Sequence, residues 1–364
     1  MKAESVPERR LRDTAVDFLR IFRAHTAPAT TLIVVPFYLL GGGNLATPFG
    51  AAVFLWSILV HWAGYGENSV MDFYGGFDEL DENKRHFPLV AGRVSLSAAQ
   101  KVIHTFLIGV SAYAALLILF SGGWRGMALA CILMAVACGH AYNDGLGKFT
   151  SLKFIPLTGF GAFLAAGCYY MAASPYSLVE SLLTLVPSFL GLATWRATRD
   201  LLFVLSFGYA VMGAFYQIGW LGELKEIRHP SEVNLLRKLG CRCDGVEFNA
   251  GWARLFGDVT KAGQLAFAAA IAYVVNHPAA WVSLAVLGAG ALYFHQQTAK
   301  RRNWVRNNTL EDSAKEEICV LFLYPLLVSP VIGFHVVAFL IPFSLAWFVA
   351  FNRLLWGTVI RPQV

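Results

Sequence analysis

The chain has 364 residues, of which 57% are hydrophobic and 14% charged, with a formal net charge of +6. A charged fraction so far below the ~25% usual in soluble domains, with a mean hydropathy of +0.54, excludes an ordinary water-soluble globule. At about 20 apolar residues per crossing the length accommodates roughly nine or ten membrane-spanning helices, so the expected architecture is an all-α polytopic membrane bundle. A single intramembrane domain is expected over 27–352, between an interfacial segment 1–26 and a tail 353–364.

The first segment carries Arg9, Arg10, Arg12, Arg20 and Arg23 and has no short apolar core followed by small residues. It is expected to be neither a signal peptide nor the first span, and its arginines set it on the cytoplasmic side. Ala15 to His25 reads as an amphipathic helix on the membrane surface. Arg23 then serves either to touch a diphosphate or acceptor or to snorkel at the interface.

Spans follow at 27–42 and 45–65, which returns the chain to the cytoplasm at a polar stretch, Glu67, Asn68, Asp72, Asp78, Glu79, Asp81 and Glu82, with Lys84, Arg85 and Arg93 behind it. Oxygen ligands at the mouth of an apolar helix suit a hard divalent cation such as Mg2+, and the basic residues beside them suit phosphate. Asn68 and Asp72 are four apart and share one face if the helix continues, while Gly75 and Gly76 break the turn and let Asp78 swing back. The bland alternative is a solvated acidic loop capping a span.

The order of residue types here, Asn68, Asp72, Gly76, Asp78, then Pro88, Leu89, Gly92 and Ser95, resembles the first aspartate-rich signature of the UbiA superfamily of intramembrane prenyltransferases. Asp72, Gly76 and Asp78 fit the DxxxGxD spacing of its menaquinone-type branch. The resemblance implies that Asn68, Asp72 and Asp78 hold Mg2+ on an isoprenyl diphosphate, and by their charge Lys84, Arg85 and Arg93 are candidates to bind its phosphates. Two positions depart from the pattern: Ser69 stands where the family has Asp, and the family's Arg-Pro pair is split as Arg85, His86, Phe87, Pro88.

Spans at 98–120 and 124–142 come next, and then the stretch HAYNDGLGKFTSLKF, which is similar to the family's loop between its fourth and fifth helices. There a lysine grips the diphosphate, which nominates Lys148 or Lys153, with Tyr142, Asn143 and Asp144 as weaker pocket residues. A span at 154–173 is clear. Counting both 177–195 and 201–221 as crossings would put the basic segment 222–262 outside, against the charge rule, so 177–195 is expected to be interfacial or re-entrant.

The second polar mouth is GELKEIRHPSEV, similar to a Glu-substituted form of the family's NELKDI phrase. It puts Glu226 at the first acidic position, with Glu223 one turn earlier on the same side. Pro230 occupies the place of the second acid, leaving Glu232, Asp244 or Glu247 to deputise. NAGWARLFGDVTKAGQ resembles the opening of the family's seventh helix. Spans at 264–275 and 280–294, a cytoplasmic basic loop reaching to Glu317, and spans at 318–332 and 334–351 complete the chain.

The six cysteines show no zinc or disulfide spacing, and the Cys241–Cys243 pair is expected to be unbonded. The positive charge reads as membrane orientation and contact with anionic lipid, not nucleic-acid binding. A diphosphate head caged at the mouths, with its tail among the phenylalanines, makes the chain a prenyltransferase if a lipophilic, aromatic acceptor captures the allylic cation. It is a membrane terpene cyclase if the tail's own double bonds do. A transporter is the rival of another class, but the carboxylates gather at helix ends, with Glu180 alone inside an apolar stretch.

Overall fold

The computed structural model describes residues 11–81, 84–143, 150–174, 195–229, 233–244 and 247–359. After an amphipathic helix α1 (Leu11–Ile21), ten helical rods follow among these residues. They are α2 (Ala27–Leu40), α3 (Pro48–Tyr74), α4 (Leu96–Phe120), α5 (Arg125–Asn143), α6 (Phe154–Ala172), α7 (Trp195–Ala214), α8 (Ala253–Val275), α9 (Pro278–Ala299), α10 (Arg306–Ile332) and α11 (Phe334–Trp356). Among the described residues seven helices are long and apolar enough to cross a membrane, and the chain is an integral membrane protein. Large apolar side chains stand exposed on the outer faces of the rods, among them Ile108 and Phe120 (72% each) and Leu133 (58%). In a bilayer that surface meets lipid, so the rods associate through close packing rather than hydrophobic exclusion.

That packing is clearest between α5 and α6. A side chain at Gly167 would collide with Ile132, its Cβ standing 2.7 Å from the Ile132 Cδ1. The absence of a Cβ lets the two backbones approach as small residues do in membrane bundles.

Turn contacts sort the helix ends into two faces. At one, Gly123 N–H donates to the Met171 carbonyl at 3.1 Å and Trp124 N–H to that of Ala173 at 2.9 Å. Gly42 there lies beside the Arg199 guanidinium. The segment 177–195, expected to be interfacial or re-entrant, lies almost wholly outside the described residues, as does Glu180, but its flanks at Ala173 and Arg199 stand at this same face. At the other face Arg20 donates to the Leu355 carbonyl at 2.5 and 2.8 Å, tying α1 to the end of α11. The expected tail at 353–364 thus begins inside a helix that runs on to Trp356.

One stretch expected as a loop is helical, and the segment 222–262 holds a helix start and a hairpin. The second half of the basic loop is the first part of α10, which starts at Arg306. In 222–262, α8 begins at Ala253, and a short hairpin pairs β1 (Arg242–Asp244) with β2 (Glu247–Asn249). The basic run looked like loop because propensity says little about a polar helix that other rods clothe. α7 continues through a π-helical turn, Phe215–Gly222, into the helical turn Glu223–Lys225. Such wide turns inside helices are frequent at functional sites.

Candidate active site

α3 runs unbroken through the end of its apolar stretch to Tyr74, so Tyr65, Asn68 and Asp72 rise along one face at i, i+3 and i+7. Asn68 Nδ2 donates to Asp72 Oδ2 at 2.8 Å. The Asn68 Oδ1 is buried and accepts no hydrogen bond. Gly76 then takes φ +73°, a left-handed turn that a glycine makes without steric cost, and starts the helical turn Phe77–Leu80. That turn carries Asp78 back into the protein, where its side chain is 1% exposed and accepts from the Lys84 ammonium at 2.6 Å. Burial pushes the Asp78 carboxyl up, the Lys84 charge holds it down, and the Asp72 charge raises it.

Arg23 belongs to the same neighbourhood. Its backbone is left-handed (φ 48°, ψ 47°), a conformation rare outside glycine and costly enough to suggest a local function. The turn aims the guanidinium over the Tyr65 ring at 5.2 Å and leaves Nε buried without a hydrogen-bond acceptor. Its charge acts on Asp78 and on Lys225, from the far side of the mouth.

The second mouth closes on the first. Lys153 Nζ stands 2.9 Å from Glu223 Oε1, and both side chains are almost fully buried. Glu223 Oε2 also accepts the Leu235 N–H at 2.7 Å. Glu226 ends the helical turn and lies 3.6 Å from Arg306, which forks onto both oxygens of Asp81 at 2.8 and 3.1 Å. His229 hydrogen-bonds the Phe77 carbonyl at 3.2 Å. Asn143 donates to Glu67 Oε2 at 2.6 Å, with His140 Nδ1 3.0 Å from the other oxygen. Two acidic stretches some 150 residues apart in sequence therefore meet at one polar mouth.

Not every nominated residue arrives there. Arg93 turns to Asp17 of α1, at 3.2 Å, and to the His86 carbonyl, at 2.8 Å. Arg85 is exposed, and Tyr142 is half-buried at the end of α5. Lys148, Asp144 and Glu232 lie outside the described residues. The sequence reading did not find Arg306 or Glu317, whose charge acts on Lys225 from α10. Their only signal was the run of alternating charge before the ninth apolar stretch, which looked like a loop.

Among the described residues no three imidazole, thiol or carboxylate groups converge as a preformed metal cage. The donors present nevertheless suit Mg2+, which is held by one or two carboxylates together with substrate phosphates. The buried acceptor-side oxygen of Asn68 and the adjoining carboxylate of Asp72 are two hard oxygen donors.

No family model matches the sequence, and no curated protein does. A solved structure from a study of digeranylgeranylglyceryl phosphate synthase in membranes superposes with a TM-score of 0.58 at 12% identity, over 88% of this chain and 99% of that one. The chain has the fold of that membrane synthase. At this identity the likeness concerns the course of the helices, and the chemistry of the mouth is this chain's own.

Proposed function

We propose that the chain is a Mg2+-dependent membrane prenyltransferase of the UbiA type. It ionises an isoprenyl diphosphate at the polar mouth and transfers the prenyl group to a lipophilic, aromatic acceptor. The observation that carries this reading is the convergence of Asn68, Asp72 and Asp78 with Glu223, Glu226 and Arg23 at one end of a bundle whose fold is that of a digeranylgeranylglyceryl phosphate synthase. The Asp72, Gly76, Asp78 spacing favours the menaquinone-type branch. The excess of arginine and lysine at this face supports a cytoplasmic side for the mouth and the N-terminal helix.

When bound by Asn68 and Asp72, Mg2+ would supply the positive charge that stabilises a departing pyrophosphate. Arg23 contributes a half-buried cation whose buried Nε has no acceptor in the protein, so a phosphate oxygen satisfies it. Lys84 holds Asp78 until the diphosphate arrives and then has three donors to offer it. Tyr65 under Arg23, and Trp62 with Phe22 stacked on it at 6.3 Å, are aromatic rings near the mouth. Such rings keep water from a cation and face it with their π electrons.

The test is product analysis. Purified protein is incubated with Mg2+ and geranyl, farnesyl or geranylgeranyl diphosphate, with and without aromatic acceptors. Prenylated acceptor is the expected product. A terpene formed without acceptor reassigns the scaffold to cyclisation, and no pyrophosphate release from any of the three overturns the enzyme reading.

A further inference from the structure

A second polar constellation lies where α8, α9 and α10 meet the wide turn that follows α7. Lys261 and Glu316 form an ion pair with both side chains 1% exposed, and Gln264 Oε1 accepts from the same ammonium at 2.7 Å. The Lys261 Nζ stands 3.8 Å over the ring of Tyr216, whose hydroxyl meets His295 Nδ1 at 2.9 Å. His295 Nε2 lies 2.7 Å from Asp258, and Arg254 lies 3.5 Å from the other oxygen of Asp258. Buried charges are costly unless they serve a purpose. Here two of these groups, Lys261 and His295, form the floor of a cavity of about 370 Å³ with Arg254, Asp258, Gln296 and Lys300 around it.

The lining of the cavity carries three cationic side chains, Arg254, Lys261 and Lys300, against one carboxylate, Asp258. Arg254 is in the first turn of α8 and Lys300 directly follows α9, at the face that holds the polar mouth. Just outside it Trp252, Leu255 and Tyr293 are 76%, 54% and 57% exposed, a surface for hydrocarbon and not for water. We propose that this cavity binds the phosphate headgroup of an anionic membrane phospholipid. Arg254 and Lys300 receive the phosphate, Lys261 adds positive charge from below while it stays bound to Glu316 and Gln264, and the acyl chains lie against Leu255 and Tyr293. The lining of this cavity shares no residue with the carboxylate mouth.

The test reads lipid retention and not turnover. Protein in neutral detergent is titrated with phosphatidylglycerol or phosphatidylcholine, with bound lipid counted by native mass spectrometry and the thermal midpoint followed in parallel. Phosphatidylglycerol should bind and raise the midpoint, phosphatidylcholine should not, and Arg254→Ala with Lys300→Ala should weaken binding by about tenfold or more. The exposed hairpin variant Arg242→Ala should bind as the parent does, and both variants should keep the parent's lipid-free midpoint. Equal retention of the two lipids, or unchanged affinity in the double variant, overturns the site. Full displacement of the lipid by millimolar inorganic phosphate overturns the lipid assignment in favour of a free anion.

Discussion

Lys153 and Glu223 form a buried ion pair, Nζ to Oε1 2.9 Å, that joins the start of α6 to the far end of α7. Removing one partner of such a pair strands the other charge, at a cost of about 3–5 kcal/mol. Lys153→Ala should therefore destabilise the protein by about 3 kcal/mol, somewhat less than the extreme because Leu235 N–H still binds Glu223. Combining it with Glu223→Gln should recover part of the loss. Unfolding midpoints of the two single variants and the double variant in one detergent give the cycle, and strict additivity would show that the pair is not coupled.

Asp72→Asn and Asp78→Asn should each abolish Mg2+-dependent pyrophosphate release without lowering the amount of folded protein. Chelation of divalent cations by EDTA should do the same to the parent and be reversed by added Mg2+. Full turnover in either variant removes the metal role from that residue.

The acidic stretch at the end of α3 was legible in the sequence because its logic is local. Asn68 and Asp72 need only a continuous helix to share a face, and Gly76 only a glycine's freedom to turn Asp78 inward. Most rods were legible for the same reason, since each is a long apolar run, whereas the charged first half of α10 was not. What joins Lys153 to Glu223, or Arg306 to Asp81, is the arrangement of whole helices, and no spacing encodes a contact 225 residues long. The handedness of Arg23 was hidden as well, because an arginine gives no hint that its backbone is left-handed. Arg93 shows the opposite failure: it sits beside the motif in sequence, yet its partner Asp17 lies on another helix.

The Asp78 carboxyl is held up by burial against the counter-effect of Lys84. A folded-state value above the unfolded one means that ionised Asp78 opposes folding: its stabilising contribution is present below the unfolded value and is lost as pH rises through the folded value. Lys84→Met should raise that carboxyl further. The acid limb of the pH–rate profile should move to higher pH and stability at neutral pH should fall. A limb that stays in place would show that ionisation of Asp78 does not limit turnover.

Arg23→Gly separates conformation from charge. Glycine relieves a left-handed backbone that costs roughly 1 kcal/mol, so the thermal midpoint should hold or rise while kcat/KM falls by about tenfold or more, as expected for a lost charge-assisted contact. Arg23→Lys should retain part of the activity. Unchanged kcat/KM in Arg23→Gly would leave the side chain as a membrane anchor.

The wide turn Phe215–Gly222 in the sixth span has a geometric consequence of its own. One extra residue in a helical turn rotates all that follows by about 100° relative to an unbroken α-helix. The lipid-facing side of α7 and the side that presents Glu223 are therefore set by different stretches of chain. The outer surface of this rod can vary with the bilayer while the aim of its terminal carboxylates stays fixed.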